Sequence, residues 1–276
     1  MCIFVESYTK LLFYIMAVTI AIVNNKGGVG KTTTVANLGY AWARSGKRVL
    51  LVDLDSQANL TTLVDTIPID EHNRIIYDSL IDRQAPPIDK VETNLDIIPS
   101  GLTLSSYEKD SVKDNLWIYS LKDVLAFVKD KYDIIILDCP PALGSITYTA
   151  LVAADFFLLI GTPDSMSYAG MKMILTLAKD IKTNPRLNPD LLLLGGMLTK
   201  ARPKEKVDNL FIRRIREELG EKHFIPIVIS DETAVKQSAA CGVNIFDYKP
   251  DSKAATSYKE ISELLSKRIV ERQKGK

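Results

Sequence analysis

The sequence predicts an α/β fold: a mostly parallel, doubly wound sheet with helices on both faces, built as a single domain. Three observations carry this reading. Nearly continuous apolar runs rich in β-branched residues recur at 18–23 (VTIAIV), 48–53 (RVLLVD) and 132–138 (YDIIILD), the pattern of strands buried on both faces. Stretches with helical spacing alternate with these runs, and repeated βα units close into a parallel sheet. Finally, the first run leads into a glycine-rich turn and the other two end in acidic residues, which places polar chemistry at the carboxyl ends of strands, where such sheets hold ligands.

The turn is Asn25-Lys26-Gly27-Gly28-Val29-Gly30-Lys31-Thr32-Thr33. Gly30-Lys31-Thr32 fits the end of the P-loop pattern, in which backbone N–H groups and a helix N-terminus surround the β- and γ-phosphates of a nucleotide. Asn25 stands where the first glycine of that pattern belongs, and Lys26 follows it. The glycines let backbone approach an anion closely, Lys31 supplies positive charge, and the Thr32 hydroxyl is suited to Mg²⁺. Lys26 is then a second cation beside a nucleotide already served by Lys31.

From Thr32 to Ser45 the spacing predicts a helix with Val35, Leu38 and Trp42 on one face, and Gly46 is a natural stop. The strand from Arg48 ends in Asp53-Leu54-Asp55, and the strand from Tyr132 ends in Asp138-Cys139-Pro140-Pro141, where the prolines turn the chain outward. Asp138 is thereby placed like a carboxylate that reaches Mg²⁺ directly or through water. Pro86-Pro87 marks a surface loop. Helices are predicted over Leu116 to Lys129, Ile146 to Ala154, Tyr168 to Ile181 and Val207 to Leu219, with strands over Phe156 to Thr162 and Leu191 to Leu198. Ser230 is placed to cap a helix over Glu232 to Cys241.

These residues resemble the ParA/MinD-type ATPases with the deviant Walker A motif KGGVGKT, here Lys26 to Thr32. VDLDSQAN (52–59) resembles that family's switch I, ILDCPP (136–141) its Walker B and switch II, and YDSLID (77–82) and LDIIPSG (95–101) sit in similar order. The likeness covers most of the chain. It implies a P-loop NTPase fold, ATP and Mg²⁺ as ligands, and residues 26–33 around the phosphates. It further implies that Lys26 reaches across a nucleotide-sandwich homodimer, that Lys31 holds the phosphates of its own subunit, that Thr32 and Asp53 serve Mg²⁺, and that Asp55 orients the attacking water. The branch it points to is the partition ATPases, which bind DNA without sequence preference and are stimulated by a ParB-like partner.

A chain of 276 residues with 46% hydrophobic residues suffices for one large core. Three cysteines without a C-x-x-C pair argue for a reducing cytoplasm and against both a disulfide framework and an iron–sulfur cluster, and two histidines argue against a histidine metal site. Residues 1–15 read as an N-terminal extension that need not belong to the fold, with residues 16–276 forming the ATPase domain. The apolar stretch from Leu11 to Val23 superficially resembles a signal peptide, but its second half is the first core strand. So little chain precedes that strand that a sequence-specific helix-turn-helix module is not expected.

A net charge of +1 advertises no nucleic acid by itself. Charge is uneven, however: between Lys200 and Lys222 stand eight Lys/Arg against five Asp/Glu. Arg202 and Lys236 fall in segments resembling those that carry DNA-contacting residues in partition ATPases, which would make the protein nucleoid-associated when ATP-bound. An ordinary solvated face explains the same residues equally well. Ile229-Ser230-Asp231-Glu232 departs from the Ile-Pro-Arg common in the family, so adenine contacts there do not carry over. Alternative readings are a MinD-like membrane-cycling ATPase, using the stripe Ile261, Leu264, Leu265 and Ile269; a cargo-positioning or conjugative-transfer ATPase; and a small-molecule P-loop ligase. Membrane binding is disfavoured because the stripe lacks Trp or Phe.

Overall fold

The computed structural model describes residues 17–64, 67–68, 71–111 and 113–274; the expected extension at 1–15 lies outside the described residues. Among the described residues there are eight strands: β1 (Val18–Val23), β2 (Val49–Asp53), β3 (Asp89–Glu92), β4 (Leu95–Ile98), β5 (Ile134–Asp138), β6 (Phe156–Gly161), β7 (Leu192–Ala201) and β8 (Phe224–Ser230). The helices are α1 (Lys31–Arg44), α2 (Asn59–Val64), α3 (Ile76–Asp82), α4 (Tyr107–Ser111), α5 (Ser120–Ala126), α6 (Ser145–Ala153), α7 (Ser165–Thr183), α8 (Lys206–Leu219), α9 (Thr233–Ala240), α10 (Ile245–Tyr248) and α11 (Lys253–Lys274). The sheet order is β3-β4-β2-β5-β1-β6-β7-β8. All pairs are parallel except β3 with β4.

Strand periodicity distributes the apolar runs between two cores. Ile20, Ile22, Leu51 and Ile136 face one layer, shared with α1 and α11, whereas Ala21, Val23, Leu50, Val52, Ile135 and Leu137 face the other, shared with α5, α6 and α7. This is the doubly wound arrangement the sequence predicts. Helices α1 and α11 are also joined by polar contacts: the Trp42 indole donates to the Ser262 carbonyl at 3.1 Å and to Ser266 Oγ at 2.9 Å. Ile261, Leu265 and Ile269 are buried in this layer, so the last helix spends its apolar stripe on the core. No described helix is long and apolar enough to cross a membrane.

Three local expectations are corrected. In place of a helix from Leu116 to Lys129 there is a 3₁₀ turn, Trp117–Tyr119, followed by α5. Beyond Ala126 the backbone tightens into short-range bonds, Val128 N to Leu125 O and Lys131 N to Val128 O, which return the chain to β5. Strand β7 runs on from Leu198 to Ala201. Ser230 does not cap α9: it closes β8 opposite Ala201, and Glu232 occupies the cap position without a side-chain bond.

Candidate functional site

The turn after β1 wraps directly onto α1. Gly30 sits at the head of that helix in the left-handed region, φ 85°, a conformation that costs glycine nothing. The Thr199 hydroxyl, from the unexpected extension of β7, donates to the Val29 carbonyl at 2.5 Å, and Lys200 Nζ donates to the Gly28 carbonyl at 2.6 Å. Gly27, Gly28, Val29 and Gly30 form the turn, and Lys31, Thr32 and Thr33 open the helix, the kind of helix start whose free N–H groups suit an anion.

Lys31 is 7% exposed and its Nζ donates to the Lys26 carbonyl at 3.2 Å. Burial lowers its pKa, and the carboxylate of Asp138 works against that shift. The carbonyl contact gives the buried ammonium a polar partner within the chain.

Lys26 is the other cation. Its Nζ lies 2.8 Å from Asp164 Oδ2, a half-exposed ion pair within one chain. Its N–H donates to Asn24 Oδ1 at 2.9 Å, and Asn24 is itself fixed by bonds to the Ile160 carbonyl at 2.6 Å and Ser167 Oγ at 3.2 Å. Asp164 follows β6 and caps α7, accepting from Ser167 N at 2.9 Å. Gly170 allows the approach, because a Cβ there would meet Asn24 Oδ1 at 2.3 Å and Lys26 N at 3.3 Å.

The acidic residues come together as the strand ends require. Asp53 and Asp138 are direct register partners across β2 and β5, and both are buried. Asp53 accepts from Thr61 N at 2.9 Å, Thr61 Oγ1 at 2.8 Å and Asp55 N at 3.1 Å. Burial nevertheless pushes its pKa up to about 6. Burial, followed by repulsion from Asp53, raises Asp138 well above the usual carboxylate range. Neither Asp138 oxygen has a partner of good hydrogen-bond geometry among the described residues, although the Thr32 hydroxyl is close enough to favour the charged form. Asp55 lies two residues past β2 on a more open loop, its carbonyl accepting from Ser100 Oγ at 2.8 Å.

An orphaned buried carboxylate beside a threonine hydroxyl and a phosphate turn fits a hard divalent cation such as Mg²⁺. Among the described residues no group of three or more His, Cys, Asp or Glu side chains could hold an ion. A cation here would need phosphate oxygens and water to complete its shell, the habit of Mg²⁺. Asp138 and Thr32 would be the direct candidates, with Asp53, already accepting three hydrogen bonds, behind them. Arg202 and Lys236 lie outside this group. They pair locally, Arg202 with Glu205 at 3.1 Å and Lys236 with Asp231 at 2.9 Å, with side chains 57% and 63% exposed.

Comparison with known proteins places the chain in a family. A family model described as an AAA domain matches residues 17–193, from β1 into β7. The sporulation initiation inhibitor protein Soj of Bacillus subtilis is 34% identical over 251 residues, covering 90% of this chain and 97% of that protein. The chromosome-partitioning ATPase Soj of Treponema pallidum is 31% identical, covering 93% of this chain and 98% of its own. The chain belongs to the ParA/Soj-type ATPase family. Among solved structures, cobyrinic acid a,c-diamide synthase from Mycobacterium smegmatis, with a bound ATP analogue and magnesium, superposes with a TM-score of 0.77 at 27% identity, covering 90% of this chain and 93% of that one.

Sequence reasoning missed Asn24, Asp164, Thr199 and Lys200. Asp164 carried a readable signal, a carboxylate three residues past an apolar strand and next to a proline, a looser form of the strand-end mark that singled out Asp138. Thr199 and Lys200 carried none, since their role depends on how far β7 extends.

Proposed function

We propose that this protein is an Mg²⁺-dependent ATPase that forms a homodimer on ATP, holds DNA without sequence preference in that state, and drives DNA partition with a stimulating ParB-like partner. The observation that carries the reading is Lys26, a half-buried cation beside a turn that Lys31 already serves, kept by Asp164 within its own protomer. A second lysine has no task in a self-contained phosphate site, and it has one if the site is completed by a twin.

The division of work follows from chemistry. Phosphoryl transfer to water leaves a protein mainly positioning and charge neutralisation to perform. The 26–33 turn binds and orients the phosphates, and Lys31 exchanges its carbonyl contact for them. Asp138, Thr32 and, behind them, Asp53 hold Mg²⁺, which when bound neutralises charge on the phosphate oxygens. Asp55 orients the attacking water. Lys26 leaves Asp164 and reaches the partner's phosphates, supplying charge in trans as an arginine finger does, so that hydrolysis depends on association. The protein is expected in the cytoplasm, on the nucleoid while ATP-bound.

DNA contact is assigned to the exposed basic residues, with Arg202 and Lys236 as first candidates. Their surface ion pairs are worth roughly 0–1 kcal/mol, a small barrier to exchange for a DNA phosphate. The test is to measure retention on DNA and on anionic liposomes side by side, with ADP and with a non-hydrolysable ATP analogue. Salt-sensitive DNA retention with the analogue alone supports partitioning, and liposome pelleting that likewise requires the analogue would replace it with membrane cycling. The ligase reading, kept open by the likeness to a diamide synthase, predicts ATP turnover only with an added metabolite.

A further inference from the structure

A cavity of about 660 Å³ lies at the opposite end of the sheet from the phosphate turn. Phe157 opens β6 and Leu192 and Leu193 open β7, whereas the turn follows the carboxyl end of β1, which runs parallel to β6. The floor is apolar, formed by Phe157, Leu175, Ala178 and Leu192. The rim carries Lys179 and Lys182 from α7, Lys222 before β8 and Arg272 from α11, with Glu271 the one carboxylate in the lining.

Part of this charge has a structural purpose. Lys182 and Arg272 stand in the last turns of their helices, where cations complement the helix dipole. Each also donates to backbone, Lys182 to the Leu191 carbonyl at 3.2 Å and Arg272 to the Leu193 carbonyl. That purpose does not extend to Lys179 and Lys222, which have no hydrogen-bond or ion-pair partner among the described residues. Two uncommitted ammonium groups thus border an apolar hollow whose volume falls within the roughly 300–1,000 Å³ typical of small-molecule sites.

We propose that this cavity binds an amphipathic anion, a carboxylate or phosphate head on an apolar body, with the body on the Phe157, Leu175 and Leu192 floor and the head at Lys179 and Lys222. Neither half of the site favours another class: a purely polar anion leaves the floor wet, and a neutral apolar compound leaves the lysines unused. The chemistry is shared by free acyl compounds and by acidic lipids. It is independent of the nucleotide cycle, since no lining residue belongs to the phosphate turn or the acidic strand ends.

The full-length protein can be titrated with the fluorescent probe 1-anilinonaphthalene-8-sulfonate and the bound probe displaced with decanoate, decyl phosphate or inorganic phosphate. Saturable displacement by the two decyl compounds is expected, with no effect of inorganic phosphate at the same concentration. The double variant Lys179→Gln/Lys222→Gln should weaken displacement about tenfold, the equivalent of about 1.4 kcal/mol, with an unchanged melting temperature and basal ATP turnover. Leu175→Gln should weaken it through the floor. Co-sedimentation with phosphatidylglycerol vesicles that requires both lysines would assign the source to a lipid, and displacement by decanoate without it would assign a free compound; either supports the site. Displacement that is absent, equally strong in the double variant, or equally strong with inorganic phosphate overturns the proposal.

Discussion

Lys26 and Asp164 sit 2.8 Å apart in a half-exposed pair, which competes directly with any role of Lys26 toward a second protomer. Asp164→Asn keeps an oxygen for the Ser167 N–H and removes the charge. We predict that this variant dimerises with an ATP analogue at up to about fivefold lower protein concentration, the worth of one exposed pair, as sedimentation against concentration would read. Unchanged concentration dependence would show that Asp164 does not restrain Lys26. Asp55→Ala, in turn, should bind ATP and accumulate a long-lived dimer, and hydrolysis at the wild-type rate would remove Asp55 from its role. The acidic pair makes a prediction about pH. The pKa of Asp53 is raised from 3.8 to about 6 by burial, so the native state binds more protons than the unfolded chain across that window. The stability this gives is fully present below pH 3.8 and is lost as pH rises through about 6; it is on the order of 2–3 kcal/mol. Asp138 is also raised, by burial and by Asp53, and so adds a loss of the same sign as pH rises. The nucleotide-free protein should therefore gain stability at pH 7 on Asp138→Asn while losing Mg²⁺-dependent turnover, which melts and ATPase assays would check. A lower melting temperature for the variant at pH 7 would contradict the assignment. At this scale the sequence showed Lys31, Thr32, Asp53 and Asp138 because each sits at a fixed offset from an apolar run. Asn24 and Thr199 were hidden because their partners, Ile160 and Val29, lie 136 and 170 residues away.

Helix α7 is the element that sets the turn, since it brings Asp164 and Gly170 against Asn24 and Lys26. Asn24 is held by several hydrogen bonds and cannot swing aside, so Gly170→Ala is predicted to destabilise the fold by about 1–3 kcal/mol and to weaken nucleotide binding. Wild-type affinity in a folded Gly170→Ala protein would show that the turn does not depend on this contact. Helix α11 has the other structural task. Leu265 is fully buried against α1 and the sheet, and Leu265→Ala should cost about 2–5 kcal/mol, measured by denaturant unfolding; a loss under 1 kcal/mol would indicate that the helix is free to leave. Continuous apolar runs made most strands legible, and 3.6-residue spacing did the same for α1 and α8. The β3 and β4 hairpin was not, because DKVE (89–92) holds a single apolar residue at a sheet edge and the chain turns at Asn94 with φ 64°. The shortening of α5 was equally hidden, since its backbone leaves the helix to reach β5 through bonds that side-chain periodicity does not encode.

The whole molecule is a sheet with a different chemistry at each end. The carboxyl ends gather the phosphate turn, the acidic pair and Lys26; the amino ends of β6 and β7 carry the cationic cavity. Doubly wound topology was readable in outline because every buried strand must divide its side chains between two layers, but the sheet order depends on pairings that no local segment records. The central claim concerns two copies of this molecule: a lysine of one completes the nucleotide site of the other. It is tested most directly by analytical ultracentrifugation of the wild type and of Lys26→Ala, each with Mg²⁺ and a non-hydrolysable ATP analogue, alongside nucleotide-binding titrations. The predicted result is a wild-type dimer and a Lys26→Ala monomer that binds the analogue with similar affinity. A wild type that stays monomeric when saturated with analogue, or a Lys26→Ala protein that dimerises as readily, would contradict it.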